Sequence, residues 1–274
     1  MVNLFNQLNN MIMKFNKTLT ILSLILFTAC SSFILKQNSK PTLYLIGDST
    51  VKNGKGRGDG SLWGWGSYIG DFFDTNKIDV KNHALGGTST RTFTRTGLWD
   101  SVLVKLKKGD FVMMQFGHND GGPLDDTARA RGTIKGIGDE SKEIFNPITK
   151  KKEVVYTYGS YLRKFINDAK AKGAIPIVCS PIPRNPVKGG AVVLANDSYA
   201  AWAEEVAKNE KVYFVPLNQL IKDKYAALGA EKVSTFFTEK DHTHTNLEGA
   251  KLNAACVVEG LKKLDKCPLV KYLK

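Results

Sequence analysis

Leu43-Tyr44-Leu45-Ile46-Gly47-Asp48-Ser49-Thr50 is a short apolar run closed by a glycine, an acid and two hydroxyl residues. An unbroken apolar run that stops at glycine has the pattern of a strand buried on both faces of a parallel sheet. The chain after it alternates. Residues 65–73 carry apolar side chains at helical spacing, and 78–80 read as a second strand. Leu98, Val102, Leu103 and Leu106 recur in steps of three and four, with Gly109 as the helix stop. Strand 111–116, helix 161–172, strand 175–179, helix 198–208, strand 212–215 and helix 246–264 follow. Five strands alternating with helices predict one open, five-stranded parallel sheet with helices on both faces. Two long loops, 117–156 and 180–195, follow strand ends, where open α/β sheets place their ligands.

Composition sets the bounds. The chain has 274 residues, 42% hydrophobic and 24% charged, which excludes disorder, collagen and coiled coil for the whole. Lys and Arg number 39 against 26 Asp and Glu, a net +13 that favours a polyanionic neighbour. Lys14 and Lys17 precede an apolar run at 18–29, too short to span a bilayer, and Thr28-Ala29-Cys30-Ser31-Ser32 follows. That order describes a secretory signal over 1–30, with Met13 an alternative start, a short tether over 31–40 and one domain over 41–274. Leu26-Phe27-Thr28-Ala29 before Cys30 resembles a lipobox, with Phe27 where leucine is usual. Cys30 is therefore the expected lipid anchor of an exported bacterial lipoprotein, in the periplasm or outer membrane. An ordinary secretion signal with an incidental cysteine is the alternative. Losing 1–30 leaves 37 basic and 26 acidic residues, net +11, so the basic character belongs to the domain. Export, and the lack of zinc-finger or RNA-binding motifs, argue against nucleic acid. An oxidising compartment permits a Cys256–Cys267 bridge, which spacing alone does not establish.

Ser49 sits at the carboxyl end of the first strand, where a nucleophile can meet a ligand, although a lone serine there often merely caps a helix. No phosphate-binding loop or G-x-S-x-G elbow surrounds it, and no cofactor is called for. A serine nucleophile needs a base. His244 lies in Asp241-His242-Thr243-His244, just before Thr245-Asn246-Leu247-Glu248, which reads as a capping box. Asp241 is placed to accept a ring N–H and fix the tautomer. His242 and His244 alternate like metal ligands, but no third ligand is nearby, so no metal is expected. Gly86-Gly87-Thr88-Ser89 and Gly117-His118-Asn119-Asp120 end at the same rim. A glycine N–H and an asparagine amide suit a developing oxyanion.

Taken in order, Gly47-Asp48-Ser49, Gly87, Gly117-x-Asn119-Asp120 and Asp241-x-x-His244 resemble the four blocks of the SGNH (GDSL-type) hydrolases, from about residue 43 to 254. Asn82-x-Ala84-x-Gly86-Gly87-x-Ser89-x-Arg91 and Gln115-Phe116-Gly117-His118-Asn119-Asp120 resemble the rhamnogalacturonan acetylesterase branch. The insert from Asp125 to Tyr156 has no clear place in that pattern. The resemblance implies a three-layer α/β/α, flavodoxin-like fold and a carbohydrate esterase that removes acetyl groups from pectic polysaccharide. It implies Ser49 as nucleophile, His244 as base, Asp241 as orienter, and Ser49 N–H, Gly87 N–H and the Asn119 side chain as oxyanion donors. The expected partner is an acidic, acetylated polysaccharide met by a monomer. Arg91 is the expected carboxylate contact, with His118 and Trp65 as further substrate contacts. Arg91 pairing inside the fold and Trp65 as core are the plainer alternatives. Xylan, peptidoglycan or lipid esters, or a non-catalytic glycan-binding lipoprotein, are the competing functions.

Overall fold

A computed structural model describes residues 1–4, 7–8, 11, 13–15 and 40–274. The chain divides into two compact units, Met1–Lys40 and Pro41–Lys274. In the first, the described residues between 2 and 15 are helical. The apolar run at 18–29, Cys30 and the tether up to residue 39 lie outside the described residues. No helix among the described residues is long and apolar enough to cross a membrane.

In the second unit five parallel strands form one sheet in the order β2-β1-β3-β6-β9. These are Thr42–Gly47 (β1), Asp79–Asn82 (β2), Phe111–Gln115 (β3), Ile175–Cys179 (β6) and Tyr213–Val215 (β9). Every residue of β1 and β3 is buried, as expected of central strands covered on both sides. The two-residue period sorts their side chains into two cores. Leu43, Leu45, Phe111, Met113 and Ile177 face Ile221 and Tyr225 of Leu217–Ser234 (α5) and Val257 and Leu261 of Leu247–Lys262 (α6). Tyr44, Ile46, Val112, Met114 and Val178 face the other core. There they meet Phe93 of Thr90–Arg95 (α1), Trp99 and Val102 of Leu98–Leu103 (α2), Phe165 of Tyr158–Ala171 (α3) and Val206 of Ser198–Asn209 (α4). The result is a three-layer α/β/α domain with the expected five-stranded parallel sheet.

Several local expectations are corrected. Residues 65–73 form two 3-10 turns, Trp65–Ser67 and Ile69–Phe72, not an α-helix. The chain here presses on the turn after Ser49: a Cβ on Gly64 would lie 2.3 Å from the Val51 carbonyl carbon, and one on Gly66 2.6 Å from Asn82 Nδ2. Helix α5 was unforeseen because Gly229, at φ 78°, breaks its periodicity. Helix α1 was unforeseen because Thr-Arg-Thr-Phe-Thr-Arg has a single large apolar residue. It is held instead by a Ser89–Thr92 capping box. The cap of α6 is Asn246, whose side chain accepts from Gly249 N at 3.1 Å, and not Thr245. The segment 117–156 contains an antiparallel hairpin, Ser141–Asn146 (β4) with Lys151–Tyr156 (β5). The segment 180–195 holds a smaller one, Val187–Lys188 (β7) with Ala191–Val192 (β8), turned by Gly189 and Gly190 at positive φ. Cys179, Cys256 and Cys267 are buried free thiols, so the Cys256–Cys267 bridge is not formed.

Candidate active site

The site is built where β1, β2 and β3 end. Asp48 is fully buried, and its Oδ1 accepts from the Thr50 backbone N–H (2.9 Å) and hydroxyl (2.7 Å), closing the turn that presents Ser49. Gln115, the last residue of β3, donates from Nε2 to Thr50 Oγ1 (2.6 Å) and accepts from Trp65 Nε1 (2.8 Å). Gly47 admits no side chain: a Cβ would sit 2.5 Å from the Gln115 carbonyl oxygen. Ser49 is thereby fixed by a buried polar relay that runs from Trp65 through Gln115 and Thr50 to Asp48 Oδ1, while Asp48 Oδ2 has no hydrogen-bond partner among the described residues.

His244 arrives from the opposite end of the sequence. Its Nε2 lies 2.6 Å from Ser49 Oγ, and its Nδ1 lies 2.6 Å from Asp241 Oδ2. Asp241 Oδ1 accepts from the backbone N–H of Thr243 (2.8 Å) and His244 (2.9 Å), which locks the carboxylate in the turn. Burial alone would raise the Asp241 carboxyl. The His244 and Thr243 contacts outweigh it and hold the group below its ordinary value. The carboxylate is thus charged and acceptor-only. It faces the ring nitrogen that must carry the proton, leaving Nε2 free to accept from Ser49.

The two glycine-bearing loops close on this pair. Gly87 adopts φ +79°, open to glycine without strain, and a Cβ on Gly86 would lie only 3.5 Å from Ser49 Cβ. Asn119 Nδ2 donates to Thr88 O at 2.8 Å, anchoring its amide beside the Gly87 loop with a second N–H to spare. The backbone N–H groups of Ser49 and Gly87 have no hydrogen-bond acceptor among the described residues. The N–H groups of Ser49 and Gly87 and the second N–H of the Asn119 amide are therefore donors without internal claims, carried by the Ser49 turn and the loops that follow β2 and β3. No cluster of metal-ligating side chains occurs among the described residues.

The three expected substrate contacts are corrected. Arg91 is fully buried: Nε and Nη2 grip both oxygens of Glu153 at 2.8 Å each, and Nη1 donates to Leu124 O (2.7 Å) and Gly132 O (2.9 Å). Four of its five N–H donors are engaged inside the fold, and the buried side chain does not present the fifth to a ligand in solution. Trp65 is 1% exposed and packs in the core. The His118 ring points inward, with Nε2 3.0 Å from Ile182 O and Nδ1 3.4 Å from Asp48 Oδ2. Burial would raise the Asp48 carboxyl, but the facing His118 ring brings it below the usual range.

Residues 45–252 match the GDSL-like lipase/acylhydrolase family. The chain belongs to that family. It is 35% identical over 214 residues to the rhamnogalacturonan acetylesterase of Emericella nidulans, covering 78% of this chain and 81% of that protein. It is 28% identical to the rhamnogalacturonan acetylesterase RhgT of Bacillus subtilis, covering 84% and 93%. Among solved structures, the YxiM protein of Bacillus subtilis superposes with a TM-score of 0.65 at 27% identity. That match covers 82% of this chain and 57% of that one.

This GDSL-like hydrolase also carries site-forming residues that the sequence reading passed over. Gln115 was noted as part of a motif, not as the link between Trp65 and the Ser49 turn. Asp120 closes the Gly117-x-Asn119-Asp120 block, with no role of its own expected from the sequence. It is fully buried, and its Oδ1 accepts from Thr90 N (3.0 Å) and Thr90 Oγ1 (2.6 Å). Burial pushes its carboxyl up to about 7. Arg131 and Arg184 went unremarked. Arg131 Nη1 donates to Gly87 O at 3.2 Å. Arg184 reaches His118 O at 3.2 Å and also the Thr243 hydroxyl. Their nearness to the Gly86-Gly87 and Gly117-x-Asn119 blocks exists only in the fold, and nothing in the sequence around them marks it.

Proposed function

We propose that this chain is a serine esterase that releases acetate from a rhamnogalacturonan-type pectic polysaccharide, with Ser49, His244 and Asp241 as its triad. The observation that carries the reading is the 2.6 Å contact of His244 Nε2 with Ser49 Oγ, backed by the equally short contact of Nδ1 with Asp241. His244 Nε2 takes the Ser49 proton as Oγ attacks the acetyl carbonyl carbon. The resulting oxyanion is met by the N–H groups of Ser49 and Gly87 and the Asn119 amide, donors already fixed in place. His244 then gives its proton to the departing sugar oxygen, leaving acetyl-Ser49. Water, deprotonated by the same nitrogen, releases acetate and restores the hydroxyl. Asp241 holds the tautomer and offsets the imidazolium charge.

The polysaccharide assignment draws on the two rhamnogalacturonan acetylesterases that resemble the chain across most of their length. Acetate release from acetylated rhamnogalacturonan, acetylated homogalacturonan and acetylxylan tests it. The wild type is expected to favour the first, and Ser49→Ala to release acetate at least ~10⁴-fold more slowly. Preference for xylan would reassign the substrate, and an active Ser49→Ala would remove the nucleophile. The leader-like sequence supports export of the domain and its tethering through lipidated Cys30. Recovery of unlipidated protein in the cytoplasm would refute that part.

A further inference from the structure

Three cavities border the loops that flank Ser49 and His244, and shared lining residues join them in series. One of about 620 Å³ is lined by Gly86, Gly87, Arg129 and Arg131. Arg131 also lines the next, of about 610 Å³, together with Asn119 and Arg184. Arg184 and Tyr199 in turn line a third, of about 710 Å³, which continues past Lys188 and Lys135. The outcome is a groove rather than a closed pocket, and it is long enough for several sugars of a chain.

The charges along it are unequal in what they have left to give. Its acids are occupied. Asp126 accepts from the backbone N–H of Ala128 and Arg129 (3.0 Å each). Asp197 caps α4 by accepting from Tyr199 N (2.9 Å) and Ala200 N (3.3 Å). Its arginines are not. Among the described residues, the arginines that form ion pairs are Arg91, Arg95 and Arg163, not Arg129, Arg131 or Arg184. Arg131 and Arg184 bond neutral carbonyls and a hydroxyl, which orient a guanidinium without cancelling its charge. Burial, and then the neighbouring Arg129, lower the Arg131 pKa, the strain of a desolvated cation beside a like charge that Asp126, Asp120 and Asp48 offset only in part. An anion between them would relieve it.

Resting on the acetylesterase reading, we propose that Arg131 and Arg184 form a carboxylate-binding subsite for uronate residues neighbouring the acetylated sugar. The planar guanidinium presents paired N–H donors that match a carboxylate bidentately. The oxyanion-hole residues Gly87 and Asn119 line the same groove, so a chain held by its carboxylates is brought against the loops that flank Ser49. Arg91, the conspicuous arginine of the sequence, is spent inside; these two loop arginines take the outward role.

The test uses the full chain and a small neutral acetyl ester as reporter substrate. Deacetylated rhamnogalacturonan oligosaccharide serves as inhibitor, beside the same oligosaccharide with its carboxyls reduced to alcohols. The wild type should bind the acidic form at least ~10-fold more tightly. Arg131→Gln and Arg184→Gln should each erase roughly tenfold of that preference, with partial rescue in Arg131→Lys and Arg184→Lys. The ratio is taken within each variant, so a general loss of turnover does not imitate the effect. Equal inhibition by both oligosaccharides in the wild type overturns the subsite, as does a ratio that neither substitution changes. Acetate release from acetylated rhamnogalacturonan, measured alongside, fails separately if only the substrate reading is wrong.

Discussion

At the scale of single residues, this site is held together by three carboxylates, two kept charged by their partners and one whose burial favours the protonated form. Asp241 is charged because it accepts two backbone N–H groups and a ring N–H. Asp48 is charged because a histidine faces it. Asp120 has hydroxyl and amide donors on one oxygen only, its Oδ2 has no partner, and burial raises it to about 7. The sign of its effect on stability follows. The unfolded carboxyl ionises near its ordinary value of 3.8, whereas the folded one holds its proton to about 7. Between those values the folded state binds more protons, so stability falls as pH rises from about 4 to about 7 and then levels off. The full span corresponds to at most roughly 4 kcal/mol. Asp120→Asn keeps an oxygen for Thr90 and removes the titration. The substitution should therefore gain on the wild type as pH rises across that window, in urea unfolding followed at pH 4.5, 6 and 8. Curves that stay parallel would mean the buried carboxyl does not titrate as the structure requires.

At the scale of elements, the strands were legible and the pieces between them less so. β1, β3 and β6 announce themselves because a strand buried on both faces must be apolar throughout. The hairpin β4–β5 does not, since Ser-Lys-Glu-Ile-Phe-Asn and Lys-Lys-Glu-Val-Val-Tyr mix charge with β-branched residues on an exposed ribbon. Val155 anchors it by burial, and an ion pair adds to this: Glu153 of β5 grips Arg91 of α1, with Arg95 3.4 Å away. Burial would raise the Glu153 carboxyl, but Arg91 and Asn146 bring it below its ordinary value. Removing the cation alone leaves that carboxylate only Arg95 and Asn146, both on Oε2, and frees two backbone carbonyls, Leu124 and Gly132, that also bond Arg91. Arg91→Ala should cost about 3 kcal/mol. It should loosen the 122–132 segment, read as faster amide exchange there. Glu153→Gln in the Arg91→Ala background should cost much less than Glu153→Gln alone, because the charge to be stranded is already gone. Additive losses would instead assign Arg91 to packing alone.

At the scale of the whole molecule, a parallel sheet explains why so much of the site was readable from one sequence. Every strand in it runs the same way, so blocks that follow β1, β2 and β3 are delivered to one edge even when 195 positions separate Ser49 from His244. Distance along the chain is irrelevant there, and residue type plus position after a strand suffices. No comparable rule governs the loops 117–156 and 180–195, which is why the charge was assigned to Arg91 when the groove displays Arg131 and Arg184. The net +13 does not itself reveal where an anion would sit. A groove charge acts on a polyanion over about a Debye length, roughly 10 Å at 0.1 M salt and about 30 Å at 0.01 M. It raises encounter rates for a charged chain and does nothing for a neutral ester. Moving from about 0.01 M to about 0.3 M salt should therefore cut kcat/KM on the acetylated pectic polymer several-fold and leave that on a small neutral acetyl ester within about twofold. Steady-state rates on the two substrates across a salt series decide the matter. Equal slopes would place the excess charge in general solvation rather than in substrate capture.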